Sequence, residues 1–140
     1  MKKYILLISF SFLSLKLMAA NLTVVVKDLV SKQGQVLVAL YNNKNSFPIK
    51  GQEYKSTKVY PITNTTISVK FNNLPSGEYA IAVLHDKDKS GDMSKNLLGL
   101  PLEPYGFSNY KKFGKPSFDQ AKFRVGTKDV VVTINLKNNK

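Results

Sequence analysis

The chain contains no cysteine, a single histidine (His85) and a single arginine (Arg124). Without cysteine there is no disulfide, no lipid-attachment thiol and no thiolate for a zinc site. One histidine cannot complete a zinc site of the usual kind. Acidic residues are scarce as well, nine against 21 lysines and arginines. Nearly all of the cations are lysines, and the longest basic run beyond the N-terminal Lys2-Lys3 is Lys111-Lys112. Nucleic-acid readers concentrate arginine and aromatics on one face, and this scattered pattern argues against that class. There is no Gly-x-Ser-x-Gly elbow to raise a serine nucleophile. The only long apolar run is the one near the N-terminus.

That run has the layout of a secretory leader. Lys2 and Lys3 form a basic start, residues 4–15 are apolar apart from three serines, and Met18, Ala19 and Ala20 offer small residues for cleavage. It is shorter than the roughly 20 residues needed to span a bilayer. The expectation is a signal peptide over residues 1–20, cut after Ala19 or Ala20, and one domain over residues 21–140. Loss of Lys2, Lys3 and Lys16 would take the formal charge from +12 to +9. The expected location is the periplasm or the exterior, with the fold held by its core rather than by disulfides.

What remains reads as strands. Leu22, Val24 and Val26 alternate with Thr23 and Lys27, Ile67, Val69 and Phe71 with Ser68 and Lys70, Ala121, Phe123 and Val125 with Lys122 and Arg124, and Val130, Val132, Ile134 and Leu136 with Thr133, Asn135 and Lys137. Residues 36–41 and 79–84 are apolar on both faces, as in strands covered on both sides. Residues 59–62 form a shorter candidate, moved toward an edge by Pro61. No stretch shows a helical period. Seven short strands at this spacing predict an all-β, two-sheet antiparallel sandwich of Ig-like or transthyretin-like kind. Tyr79 follows the turn Pro75-Ser76-Gly77 and is placed to return its hydroxyl to the preceding corner. Two segments look irregular, residues 42–56 and 86–117. The second carries Tyr105, Phe107, Tyr110 and Phe113, which argues against disorder.

The chemistry concentrates in that second segment. Three of the nine acidic residues, Asp86, Asp88 and Asp92, fall within seven positions. Acceptors at positions 1, 3 and 5 (Asp86, Asp88, Ser90) and glycine at position 6 (Gly91) match the first half of a calcium loop. Asp92 can give its carbonyl, and Asn96 and Glu103 can close the shell. The second half departs, because Leu97 stands where an EF-hand has its bidentate glutamate. Lys87, Lys89 and Lys95 cancel the three aspartates over residues 86–96, which lowers the expected affinity to about 10⁻⁴–10⁻³ M. The competing reading is an acidic turn closed by Asx hydrogen bonds. His85 is expected to brace the loop through a backbone carbonyl or a carboxylate. Tyr105 and Phe107 can line a ligand surface or tuck the loop over the open end of the sandwich, and Asn109 belongs to the same candidate binding face.

These pieces together resemble a known family. Leu74-Pro75-x-Gly77-x-Tyr79-Ala80, His85-Asp86, a polar loop around Gly91, Gly99-x-Pro101-x-Glu103, Gly106-Phe107-Ser108-Asn109 and Pro116-x-Phe118-x-x-Ala121-x-Phe123 resemble the exported bacterial family called domain of unknown function 2141. The resemblance spans residues 21–136. It implies a small periplasmic or surface β-sandwich and brings no assigned reaction. Within its loop pattern Asp88 and Ser90 stand at two asparagine positions, and Ser94 replaces an aspartate.

The functional expectation is a non-enzymatic envelope binding module with a loop ordered by calcium. Its partner would be an envelope protein, glycan or lipid. Nucleic acid is not expected, peripheral contact with an anionic membrane is, and the chain would be a monomer. The alternatives are a hydrolase-like enzyme using His85 and nearby carboxylates, and a lysine-rich structural protein of the membrane surface.

Overall fold

A computed structural model describes residues 18–138. The leader expected over residues 1–20 lies outside them except for Met18, Ala19 and Ala20, and Ala19 and Ala20 open the first strand. The described residues form eight strands in two sheets, with one four-residue helix. The strands are β1 (Ala19–Lys27), β2 (Gln35–Tyr41), β3 (Lys55–Val59), β4 (Ile67–Pro75), β5 (Gly77–Asp86), β6 (Tyr105–Phe107), β7 (Phe123–Val125) and β8 (Val130–Asn135). The helix α1 spans Phe118–Ala121. The all-β two-sheet expectation holds. Seven of the strands lie at or beside the segments read from alternation, and β6 is the addition.

One sheet has the order β4-β1-β8 and the other β3-β2-β5-β6, with β7 pairing the first half of β5. Every pairing between strands is antiparallel except β1 with β8, which is parallel. That exception needs no crossover connection, because the two strands come from opposite ends of the described chain. Alternation puts Leu22, Val24 and Val26 of β1 against Val36, Val38 and Leu40 of β2 and Ile81 and Val83 of β5, all buried between the sheets.

The larger sheet is covered on its other face too. Tyr41, Phe47, Ala80, Phe118 and Ala121 form a second buried cluster there. Phe47 meets Tyr41, Phe107 and Phe118 edge-on at ring distances of 5.2, 5.9 and 6.0 Å. This cover accounts for Tyr41 and Ala80 on the second face of β2 and β5. The Tyr79 hydroxyl donates to the Pro75 carbonyl at 2.7 Å, the corner contact that its position in the sequence predicts.

Three local readings are corrected. The third strand is Lys55–Val59 rather than residues 59–62, since Pro61 lacks the N–H that a ladder needs. It lies at the sheet edge, where polar side chains on both faces are tolerated. Residues 86–117 are not wholly irregular, because β6 lies within them. Ala121 ends α1 instead of starting a strand. The helix is fixed by a capping box in which the Ser117 hydroxyl accepts the Gln120 amide and the Gln120 side chain accepts the Ser117 amide.

Candidate functional site

The site forms where β5 runs out. Asp86 is the last residue of β5 and pairs across the ladder with Gln35. The chain then leaves the sheet for residues 87–104 and returns as β6, which pairs with Ala82, Val83 and Leu84. That return places Glu103 beside the point of departure, where the His85 amide donates to the Pro104 carbonyl at 2.8 Å. Carboxylate oxygens of Asp86, Asp88 and Glu103 consequently lie within 4.8 Å of one another. Asp86 is fully buried, Glu103 is 4% exposed and Asp88 faces solvent.

Each carboxylate is aimed by donors. Asp86 Oδ2 accepts Gln35 Nε2 at 2.8 Å and the Gly91 amide at 2.9 Å, and its Oδ1 accepts the Ser90 amide at 3.0 Å. Glu103 accepts the Lys87 amide at 2.8 Å and the Ser94 amide at 3.0 Å, one on each oxygen. Asp88 accepts the Ser90 amide at 3.0 Å and the Ser94 hydroxyl at 2.9 Å. The hydroxyl and amide of Ser90, then the Ser94 hydroxyl, hold the Asp88 carboxyl down at about 2.

No lysine or arginine forms an ion pair with Asp86, Asp88 or Glu103 among the described residues. Lys50 pairs with Asp92 at 2.8 Å. Lys89, whose φ is +56°, lies over the Tyr60 ring at 4.0 Å, and its hydrogen bond and charge pull the Tyr60 phenol down. Two buried carboxylates and a third beside them are thus compensated by amide and hydroxyl dipoles alone. Burying charge without a counter-charge is costly, and Asp86, Asp88 and Glu103 form a group that could hold a metal ion. Carboxylate oxygens that accept one amide retain lone pairs for a metal.

The expected ligand set is only partly assembled. Asp86, Asp88 and Glu103 converge with Ser90 and Ser94 around them. Ser90 joins through its amide, and its hydroxyl lies 3.5 Å from Asp86 Oδ1 and 2.9 Å from the Asp92 carbonyl. The Asp92 carboxylate is held outward by Lys50. Asn96 closes a turn of its own, its Oδ1 accepting the Leu98 and Leu100 amides at 2.9 and 3.0 Å.

His85 shares the core face with Val36, its cross-strand partner, while Asp86 lies on the opposite face with Gln35. Its Nε2 donates to the Gln33 carbonyl at 2.8 Å, and its Nδ1 is buried without a partner. The geometry is that of a brace on the turn before β2, and it brings His85 to no carboxylate. Tyr105 and Phe107 lie in β6, and the Tyr105 hydroxyl accepts the Gly114 amide at 2.9 Å. Asn109, at φ +51°, donates from Nδ2 to the Lys122 carbonyl at 2.7 Å and so locks the chain before α1.

Sequence reasoning missed three contributors. Gln35 supplies the side-chain amide on Asp86, and only the strand register reveals it. Gly34, at φ +77°, lets the β2 turn approach so closely that a Cβ there would stand 2.2 Å from the Asp86 carbonyl oxygen. Ser108 is fully buried; it accepts the Ile81 amide at 2.9 Å and donates to the Ala121 carbonyl at 2.7 Å, tying β5, β6 and α1 together.

No curated protein and no solved structure matches the chain. A family model described as an uncharacterised protein conserved in bacteria (DUF2141) matches residues 24–133, which takes in most of both sheets and the whole acidic loop. The chain belongs to this bacterial family, domain of unknown function 2141.

Proposed function

We propose that the protein is an exported, non-enzymatic envelope binding module whose acidic loop is ordered by calcium. The observation that carries this reading is the meeting of Asp86, Asp88 and Glu103 oxygens within 4.8 Å, two of the three residues buried and none paired with a cationic side chain among the described residues. Calcium takes six to eight oxygens. The three carboxylates would hold it, and water would fill the open positions on the exposed Asp88 side. The ion would join the two ends of the 87–104 excursion and fix the loop that borders Tyr105 and Phe107. The sandwich would then act as a rigid mount for that loop, in the manner of Ig-like and transthyretin-like modules. The hydrolase-like alternative requires His85 beside a carboxylate, and strand alternation sends His85 and Asp86 to opposite faces of β5.

The test is a melting curve in calcium against one in chelator. A ligand that binds only the folded state, present at ten times its dissociation constant, adds about 1.4 kcal/mol, a rise of several degrees for a domain of this size. Magnesium, which dehydrates reluctantly and demands an octahedron, is expected to give a smaller rise. An unchanged midpoint at millimolar calcium removes the ion from the reading.

A further inference from the structure

The outer face of the larger sheet carries a groove of about 870 Å³. Its floor is made by small residues. Ala39 and Ala82 are direct cross-strand partners, with the pair Leu37 and Leu84 next along the same face. On the inner face the same strands carry Val38, Leu40, Ile81 and Val83. The outer surface is therefore hollowed just where two alanines meet. Phe107 and Tyr105 of β6 wall one side, Pro48 and Ile49 belong to a second wall, and Met93 and Pro101 of the acidic loop complete the enclosure. The volume is that of a small-molecule site, and the lining is mainly apolar.

The charged residues that line it are four lysines (Lys50, Lys58, Lys95, Lys115) and two acids (Glu53, Asp92), an excess of cations. Lys50 is matched by Asp92, and Glu53 keeps one carboxylate oxygen buried inside the protein without a partner. Lys58, Lys95 and Lys115 also border the groove, and no carboxylate pairs with them among the described residues. The apolar surface continues outward. Gly99 and Pro101 touch the groove, and the same turn exposes Leu97 by 107%, Leu98 by 83%, Leu100 by 52% and Leu102 by 51%. An apolar hollow with lysines in excess among its lining residues and a leucine tip beside it suits an occupant with a long hydrocarbon body and an anionic head.

We propose that this groove binds one acyl-chain amphiphile, the chain lying over Ala39 and Ala82 and the anionic head meeting Lys58, Lys95 and Lys115. This names a ligand class for the binding module proposed above and rests on that reading for its location only. The calcium melting curve reads the acidic loop separately, so either idea can fail alone.

The experiment titrates the purified protein with palmitate and with hexadecanol, which share a chain length and differ in head charge. Palmitate is expected to bind saturably at one molecule per chain and hexadecanol more weakly. Replacing the three lysines by glutamate is expected to weaken palmitate about tenfold or more while leaving hexadecanol nearly unchanged. Ala82→Phe fills the floor and is expected to abolish binding of both. Ala39→Leu provides the same test if the melting midpoint of Ala82→Phe falls. Non-saturable uptake of palmitate overturns the proposal, as does unaltered binding by a folded floor variant. Equal loss of both ligands in the lysine variant overturns the head-group assignment. Adsorption to anionic phospholipid vesicles without uptake of free palmitate makes the surface a membrane contact and also overturns it.

Discussion

Asp88 is exposed, yet hydrogen bonds from Ser90 and Ser94 hold its carboxyl at about 2 against an ordinary value of 3.8. A depressed folded-state value means that its contribution to stability is complete above the ordinary value and is lost as pH falls through the window from 3.8 to about 2. Asp88→Asn is expected to flatten the fall of the melting midpoint across that window, measured in chelator so that no cation contributes. Asp86 is the buried counterpart. Asp86→Ala leaves Gln35 and the Ser90 and Gly91 amides without their acceptor. It is expected to cost about 1–3 kcal/mol in urea unfolding and to abolish any midpoint shift with calcium. The residue types at this site were legible in the sequence, because alternate acceptors followed by glycine are a local pattern. The diversion of Asp92 to Lys50 and of Asn96 to its own turn was not, because each depends on a partner that the spacing does not name.

Strand β6 has only three residues, Tyr105, Gly106 and Phe107, and no alternation long enough to read. Its place is set by what it touches. A Cβ on Gly106 would stand 2.6 Å from Ile134 Cγ2, so glycine lets β6 pass close to β8. Ser108 then fastens the far end of β6 to β5 and α1. Ser108→Ala leaves the Ile81 amide and the Ala121 carbonyl without that hydroxyl and is expected to lower stability by about 1–3 kcal/mol. Faster hydrogen exchange at Ile81 and Lys122 would localise the loss; unaltered protection there would show that the bridge is dispensable. The strand candidate at residues 59–62 was displaced for a similar reason. Edge strands are held by main-chain pairing more than by buried side chains, so an apolar pattern is a poor guide to them. The short helix α1 lies below the length at which a period shows, although its capping pair Ser117 and Gln120 was present to be read.

At the scale of the whole molecule, two sheets enclose one core and the loops cover part of the second face of the larger sheet. The leucine turn is the exception, since Leu97 and Leu98 are among the most exposed large apolar residues described. They touch no core, so Leu97→Ser with Leu98→Ser is expected to change unfolding free energy by no more than about 0.5 kcal/mol. The same variant is expected to reduce adsorption to vesicles or to other copies of the chain, read by co-sedimentation and by light scattering. A large loss of stability would mean that the turn is packed in solution.

The sequence by itself determined the strand periodicity, the all-β class, the family and the address of the acidic loop, because each is written in neighbouring residues and survives any arrangement of the sheets. Tertiary structure alone decided that Glu103 joins Asp86, that His85 turns to the core, and that two alanines on adjoining strands make a hollow. Those outcomes depend on register between strands far apart in the chain. Register is settled only when both sheets close on the core, since a shift by one residue would carry every side chain to the opposite face.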